Sequence, residues 1–191
     1  MSRYLIYFSL FAMVFACGDR EGTTIVFDGS ETKQQQGVVP APKPDSAGVV
    51  TEISTGSTKP EDLITYARSL TGIPYKYASI DPAEGFDCSG FITYVFNHFK
   101  IPVPRRSLDF TYMNDAIDLK DAKAGDLVLF TGTDSTLREV GHMGIITDNS
   151  TEGVKFIHST SGRANGVTET FVQPYYLGRY MKTIRIFPQN K

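Results

Sequence analysis

Few residues in this chain can do covalent chemistry, and their positions are uneven. It has two cysteines, Cys17 and Cys88, and three histidines, His98, His142 and His158. Cys88 lies in Phe86-Asp87-Cys88-Ser89-Gly90-Phe91. There Asp87 is suited to cap a helix, and the apolar residues Cys88, Phe91, Ile92, Val95, Phe96 and Phe99 recur at helical spacing. A cysteine at a helix N-terminus faces unpaired N–H groups and the positive end of the helix dipole, both of which favour the thiolate. The expectation is a reactive nucleophile. A small buried hydrophobe is the other reading, because most free cysteines are that.

A cysteine nucleophile needs a base to take its proton and return it to the leaving amine, and the base needs a polar partner to fix its tautomer. His98 sits near the end of the Cys88 helix beside Asn97 and Lys100, where a solvated role suits it. His142 begins an apolar strand-like run and His158 ends the next one. In a hairpin-connected antiparallel pair the start of one strand lies beside the end of the following one, so His142 and His158 are expected to be neighbours. The chain thus supplies one candidate for each role, a cysteine and two neighbouring histidines. One cysteine with two histidines is also a partial zinc set, but the fourth ligand is missing, as are the second thiolate and the His-x-Glu signature of the deaminase type of site. No metal and no cofactor are expected.

The elements that must position these groups follow from the patterning. Pro60-Glu61-Asp62 opens a helix whose apolar face is Leu63, Ile64, Ala67 and Leu70, with Gly72 as its stop. The Cys88 helix ends near Lys100, before Pro102 and Pro104, and a short helix is expected around 107–115. Runs at 126–130, 142–147, 154–158 and 180–187 read as strands. Helices followed by strands indicate an α+β fold, with N-terminal helices packed on a mainly antiparallel sheet.

The N-terminal third has another character. Arg3 followed by the apolar run 4–16 is too short for a membrane span of about 20 residues and reads as a secretory signal peptide over 1–16. Residues 17–59, rich in Gly, Ser, Thr, Gln and Pro, read as a tether, because they bury too little apolar surface to offset their ordering entropy. A domain of residues 60–188 follows. A formal net charge of -2 without a basic run argues against a nucleic-acid partner.

Two resemblances add to this reading. Val14-Phe15-Ala16-Cys17 resembles the lipobox of bacterial lipoproteins, which implies lipidation of Cys17 and a membrane anchor; cleavage after Ala16 by an ordinary signal peptidase is the alternative. Residues 60–188 resemble the NlpC-type cysteine peptidases, papain-like cell-wall endopeptidases of bacteria. The resemblance is carried in order by Gly72-Ile73-Pro74-Tyr75-Lys76-Tyr77, by Phe86–Phe91, by Pro102-Val103-Pro104-Arg105-Arg106-Ser107, by 124–130, by Gly141-His142-Met143-Gly144-Ile145 and by Phe156-Ile157-His158-Ser159. Ala78-Ser79 stand where the family usually has two glycines, and Ile146 where it usually has tyrosine.

The resemblance implies a papain-like fold, Cys88 as nucleophile, His142 as base, His158 as orienting residue, and Tyr77, Asp87 and Ser89 along the cleft. It also implies a substrate, the stem peptides of peptidoglycan cut at the γ-D-glutamyl-diamino acid bond, for a monomer held in the cell envelope facing the wall. Asp87 and Ser89 have an equal explanation as helix-capping residues. The competing functions are a wall-peptide binding lipoprotein without catalysis, and a cysteine amidase or acyltransferase on the same fold.

Overall fold

The structure is a computed structural model that describes residues 52–191. The expected signal peptide, Cys17 and the tether up to residue 51 lie outside the described residues. Packing begins before Pro60. Ile53 is buried in the main core and its N–H donates to Asn114 Oδ1 at 2.9 Å, so the last residues assigned to the tether belong to the fold.

Helix α1 (Pro60–Ser69) starts with Pro at its first position and turns Leu63, Ile64 and Ala67 inward. A small hairpin, β1 (Ile80–Asp81) and β2 (Gly85–Phe86), leads into α2 (Cys88–His98). The cap expected of Asp87 is present: its Oδ1 accepts from the Gly90 N–H at 2.5 Å. Phe91, Ile92, Val95 and Phe96 on α2 are fully enclosed. Each such side chain contributes roughly 1.5–3 kcal/mol by leaving water, enough to hold the helix firmly on the sheet.

The expected short helix is a 3₁₀ segment over Ser107–Tyr112. Then come β3 (Ala116–Ile117), β4 (Leu127–Thr131), β5 (Val140–Ser150), β6 (Gly153–Thr160), β7 (Gly166–Phe171), α3 (Pro174–Leu177) and β8 (Tyr180–Ile184). Six of the strands form one sheet in the order β3-β8-β4-β5-β6-β7, and every pairing in it is antiparallel. The α+β architecture is as expected. Strand β7 and helix α3 were not foreseen, and both bear on the site.

The sheet is buried on both faces. Leu127, Leu129, Met143, Ile145 and Ile157 meet α1 and α2 in the main core, while Val128, Phe130, Ile146, Phe156 and Tyr176 form a second cluster on the other side. Strand alternation puts His142 and His158 on the face of Phe130 and Phe156, away from the α2 core, and their rings lie 6.0 and 4.5 Å from those two phenylalanine rings. The helix tip therefore meets the histidines at the mouth of the sheet, where β5 begins, and not through the body of the core.

Two backbone positions shape this end of the molecule. Ala78, in place of a family glycine, adopts φ +60°, a left-handed conformation costing an L-residue roughly 1–2 kcal/mol. Gly144 lets β5 approach β6: a Cβ there would lie 2.8 Å from the Ile157 carbonyl oxygen, 2.5 Å from the Phe156 ring and 3.1 Å from His158 Cβ. Gly144→Ala is expected to destabilise the protein by about 1–3 kcal/mol in denaturant titration and to lower turnover beyond that loss, because the strand it displaces carries His142.

Candidate active site

Four side chains from three strands and a helix form a line. Cys88, first residue of α2, directs Sγ at the Gly141 carbonyl, 3.8 Å away, next to His142. His142 Nε2 lies 2.8 Å from His158 Nδ1, and His158 Nε2 lies 3.1 Å from Thr170 Oγ1 on β7. The expected neighbourhood of the two histidines is thus met by a direct hydrogen bond. His158 pairs with Thr168 across the β6–β7 ladder, which puts Thr170 diagonally beside it on the same face.

This chain of contacts assigns protons. His142 Nε2 is engaged with His158, leaving Nδ1 to accept a thiol proton. With Nδ1 accepting, Nε2–H donates to His158 Nδ1, and His158 Nε2–H donates to Thr170 Oγ1. Both rings are held by aromatic neighbours as well. Tyr176 of α3 is stacked on His142, with centroids 6.1 Å apart and planes 24° apart, and lies edge-on to His158 at 5.5 Å.

The electrostatics differ from the helix-start expectation. Burial, reinforced by the Asp87 carboxylate, pushes the Cys88 thiol up to about 11; the Ser89 and Cys88 N–H groups and Arg105 pull the other way without prevailing. Burial, the His158 ring and the Arg179 guanidinium hold His142 well below the usual histidine range. Burial and then Arg179 hold His158 at about 3. All three shifts favour the uncharged form, thiol on Cys88 and imidazole on His142 and His158. What the site can do chemically is transfer the thiol proton to His142 in the same event that forms a bond to sulfur.

Asp87 and Ser89 are both present beside Cys88, but largely spoken for. Arg105 takes Asp87 Oδ2 at 2.6 Å and Oδ1 at 3.1 Å, and also donates to Ser89 Oγ at 3.0 Å. Arg105 was not foreseen as a site residue. Its signal is the charge in Pro-Val-Pro-Arg-Arg-Ser, which has meaning only with Asp87 opposite it. Tyr77 is 84% exposed at the rim, whereas Tyr75, two residues earlier, stands beside the thiol.

Cys88 lies where two cavities meet. The larger, about 860 Å³, contains His142, Thr170, Tyr175, Tyr176 and Arg179; the smaller, about 480 Å³, contains Tyr77, Asp87, Ser89, Arg105 and Ser107. Tyr75, Cys88 and Gly141 border both. Among the described residues, no three His, Cys, Asp or Glu side chains gather as a metal-binding group.

The sequence pattern of the NlpC/P60 family matches residues 72–185, the stretch holding all four members of the line. The chain belongs to the NlpC/P60 family. This NlpC/P60 chain is 31% identical over 135 residues to gamma-DL-glutamyl hydrolase of Bacillus subtilis (strain 168), covering 71% of this chain and 32% of that protein. It is 34% identical over 118 residues to the probable peptidoglycan endopeptidase LytE of the same organism, covering 61% of this chain and 32% of LytE. The NlpC/P60 chain thus spans about a third of the length of these relatives. A crystal structure of an NlpC/P60 family protein from Bacillus cereus ATCC 10987 superposes with a TM-score of 0.60 at 28% identity, over 70% of this chain and 42% of that one. The papain-like α+β fold of the NlpC/P60 domain is thereby established.

The raised thiol has a readable signature. Only the thiolate is alkylated, and below its pKa the thiolate fraction grows tenfold per pH unit. With the thiol raised to about 11, iodoacetamide labelling of Cys88 is expected to climb continuously from pH 7 to pH 10. A plateau reached below pH 7 would mean a resting thiolate–imidazolium pair instead.

Proposed function

We propose that this protein is a cysteine peptidase of the bacterial cell wall that hydrolyses peptidoglycan stem peptides at the γ-D-glutamyl-diamino acid bond. The observation that carries this reading is the hydrogen-bonded row His142–His158–Thr170, which begins one residue from the Gly141 carbonyl that Cys88 Sγ faces, set where two cavities meet. A relative named as a gamma-DL-glutamyl hydrolase and another named as a probable peptidoglycan endopeptidase support the choice of bond and polymer.

In the mechanism, Cys88 Sγ attacks the scissile carbonyl while His142 Nδ1 accepts the thiol proton. The tetrahedral oxyanion is received by the Cys88 backbone N–H at the helix start and by the Tyr75 hydroxyl. Burial, then the charges of Cys88 and Asp87, raise the Tyr75 phenol above its ordinary value, so it remains a donor throughout the neutral range. His142 passes its proton to the departing amine, leaving a thioester. Water, deprotonated by the same ring, then releases the acid and restores the thiol.

The two cavities divide the substrate. His142 must reach the leaving amine and borders only the larger cavity, so the leaving half lies there and the acyl half in the smaller one. A γ-linked glutamate keeps its α-carboxylate free. The smaller cavity meets that charge with Arg105, Ser89 and Ser107, which gives Asp87 the task of holding the Arg105 fork in place. Export by residues 1–16 and a lipid on Cys17 would keep such an enzyme against its polymer.

Mass spectrometry of L-Ala-γ-D-Glu-diaminopimelate incubated with the wild type and with Cys88→Ala tests the reading. Cleavage by the wild type alone, at the glutamyl-diamino acid bond, is the expected result. Turnover by Cys88→Ala, or none by either protein, overturns it. Tyr75→Phe is expected to lower kcat about 10- to 100-fold with KM changed little, as for loss of one oxyanion donor; an effect confined to KM would move Tyr75 out of that role.

A further inference from the structure

The larger cavity has a charge pattern that the acyl-transfer mechanism does not use. Two guanidinium groups border it, Arg163 and Arg179, and no Asp or Glu does. Arg163 stands exposed on the turn between β6 and β7 and makes no hydrogen bond or ion pair among the described residues. Arg179 is 8% exposed, a buried cation without a carboxylate partner among the described residues. It spends two donors on the Thr131 carbonyl (2.8 Å) and the Tyr175 hydroxyl (2.7 Å) and lies over the Tyr175 and Tyr176 rings at 5.0 and 5.8 Å, while its Nε is buried with no hydrogen-bond partner. A buried guanidinium lacking a counter-charge is costly, and its partner is then expected to arrive from outside. The hydroxyls of Thr133, Thr160, Ser161 and Thr168 complete a wall of donors and acceptors.

We propose that this cavity reads a free carboxylate on the leaving-group half of the substrate, with Arg163 and Arg179 as the residues that set the preference. The inference rests on the peptidase reading above only in placing the leaving half here. Two carboxylates on that half meet the description: the second carboxylate of a diamino acid such as diaminopimelate, which lysine lacks, and the C-terminal carboxylate of the peptide. Arg163 is free to swing onto the ligand from the rim. Arg179 supplies fixed positive charge from the floor, its planar fork held by Thr131 and Tyr175. A lysine-type leaving group brings the same side-chain ammonium toward two guanidiniums without the carboxylate that offsets it, and is disfavoured for that reason.

Calorimetric binding to the full chain carrying Cys88→Ala tests this independently of turnover. Three fragments serve as probes: diaminopimelyl-D-alanine, lysyl-D-alanine, and diaminopimelyl-D-alanine with an amidated C-terminus. The diaminopimelyl dipeptide is expected to bind at least tenfold more tightly than one of the other two. A deficit in the lysyl probe identifies the side-chain carboxylate as the group read, and a deficit in the amide identifies the terminal one. Arg163→Gln, at an exposed position without bonds to lose, is expected to remove most of the difference. Equal affinity for all three probes, or a ratio that survives Arg163→Gln, overturns the inference. Preference without cleavage by the wild type keeps this subsite and discards the peptidase reading; cleavage without preference does the reverse.

Discussion

The hydrogen bond between His142 Nε2 and His158 Nδ1 is the contact on which the rest of the site depends. It exists because β5 and β6 run closer together at Gly144 than any side chain would permit. Once made, it fixes which nitrogen of His142 faces the thiol, which tautomer His158 adopts, and why a hydroxyl on β7 closes the line. Tyr176 then presses on both rings from the second core, so the pair cannot turn without disturbing packing. Orientation here is a property of the sheet, and the thiol is brought to it by the helix.

The charges around the thiol express a competition. A helix start, two backbone N–H groups and Arg105 all favour sulfur as an anion, while enclosure and Asp87 oppose it. Asp87 is needed where it is, because it caps α2 and anchors Arg105. The same carboxylate that builds the helix tip therefore raises the thiol at that tip. On the other side burial lowers both imidazoles, and Arg179 adds to it in the same direction. These influences favour the uncharged thiol and the uncharged imidazoles, a balance suited to proton transfer during attack.

Much of this was legible in the sequence, and the reasons are physical. Helical periodicity after Asp87 and the apolar runs that start at His142 and end at His158 are local signals, so the presence of α2, β5 and β6 could be read. Antiparallel pairing then brought the histidines together without further information. Strand β7, Gly-Val-Thr-Glu-Thr-Phe, was not legible because one face carries only glycine and threonine and Glu169 interrupts the apolar Val167 and Phe171 on the other. Thr170 was lost with it. The face of the sheet on which the histidines lie was also out of reach, since two buried faces give near-continuous apolar strands such as β4, and alternation ceases to point inward. Arg105 was visible but uninterpretable until its fork was seen to close on Asp87.

The spread of the site along the chain has one more consequence. Cys88 meets Gly141 across 53 residues, and the line is complete only when β7 has joined β6. Contacts of such long range form late, after the loop-closure entropy has been met by the sheet as a whole. A chain that is nascent, or held unfolded for passage through a membrane, therefore contains a nucleophile and two bases with no means of cooperating. The assembled row therefore arises only once β7 has paired with β6, so the timing of folding decides when these groups can first act together.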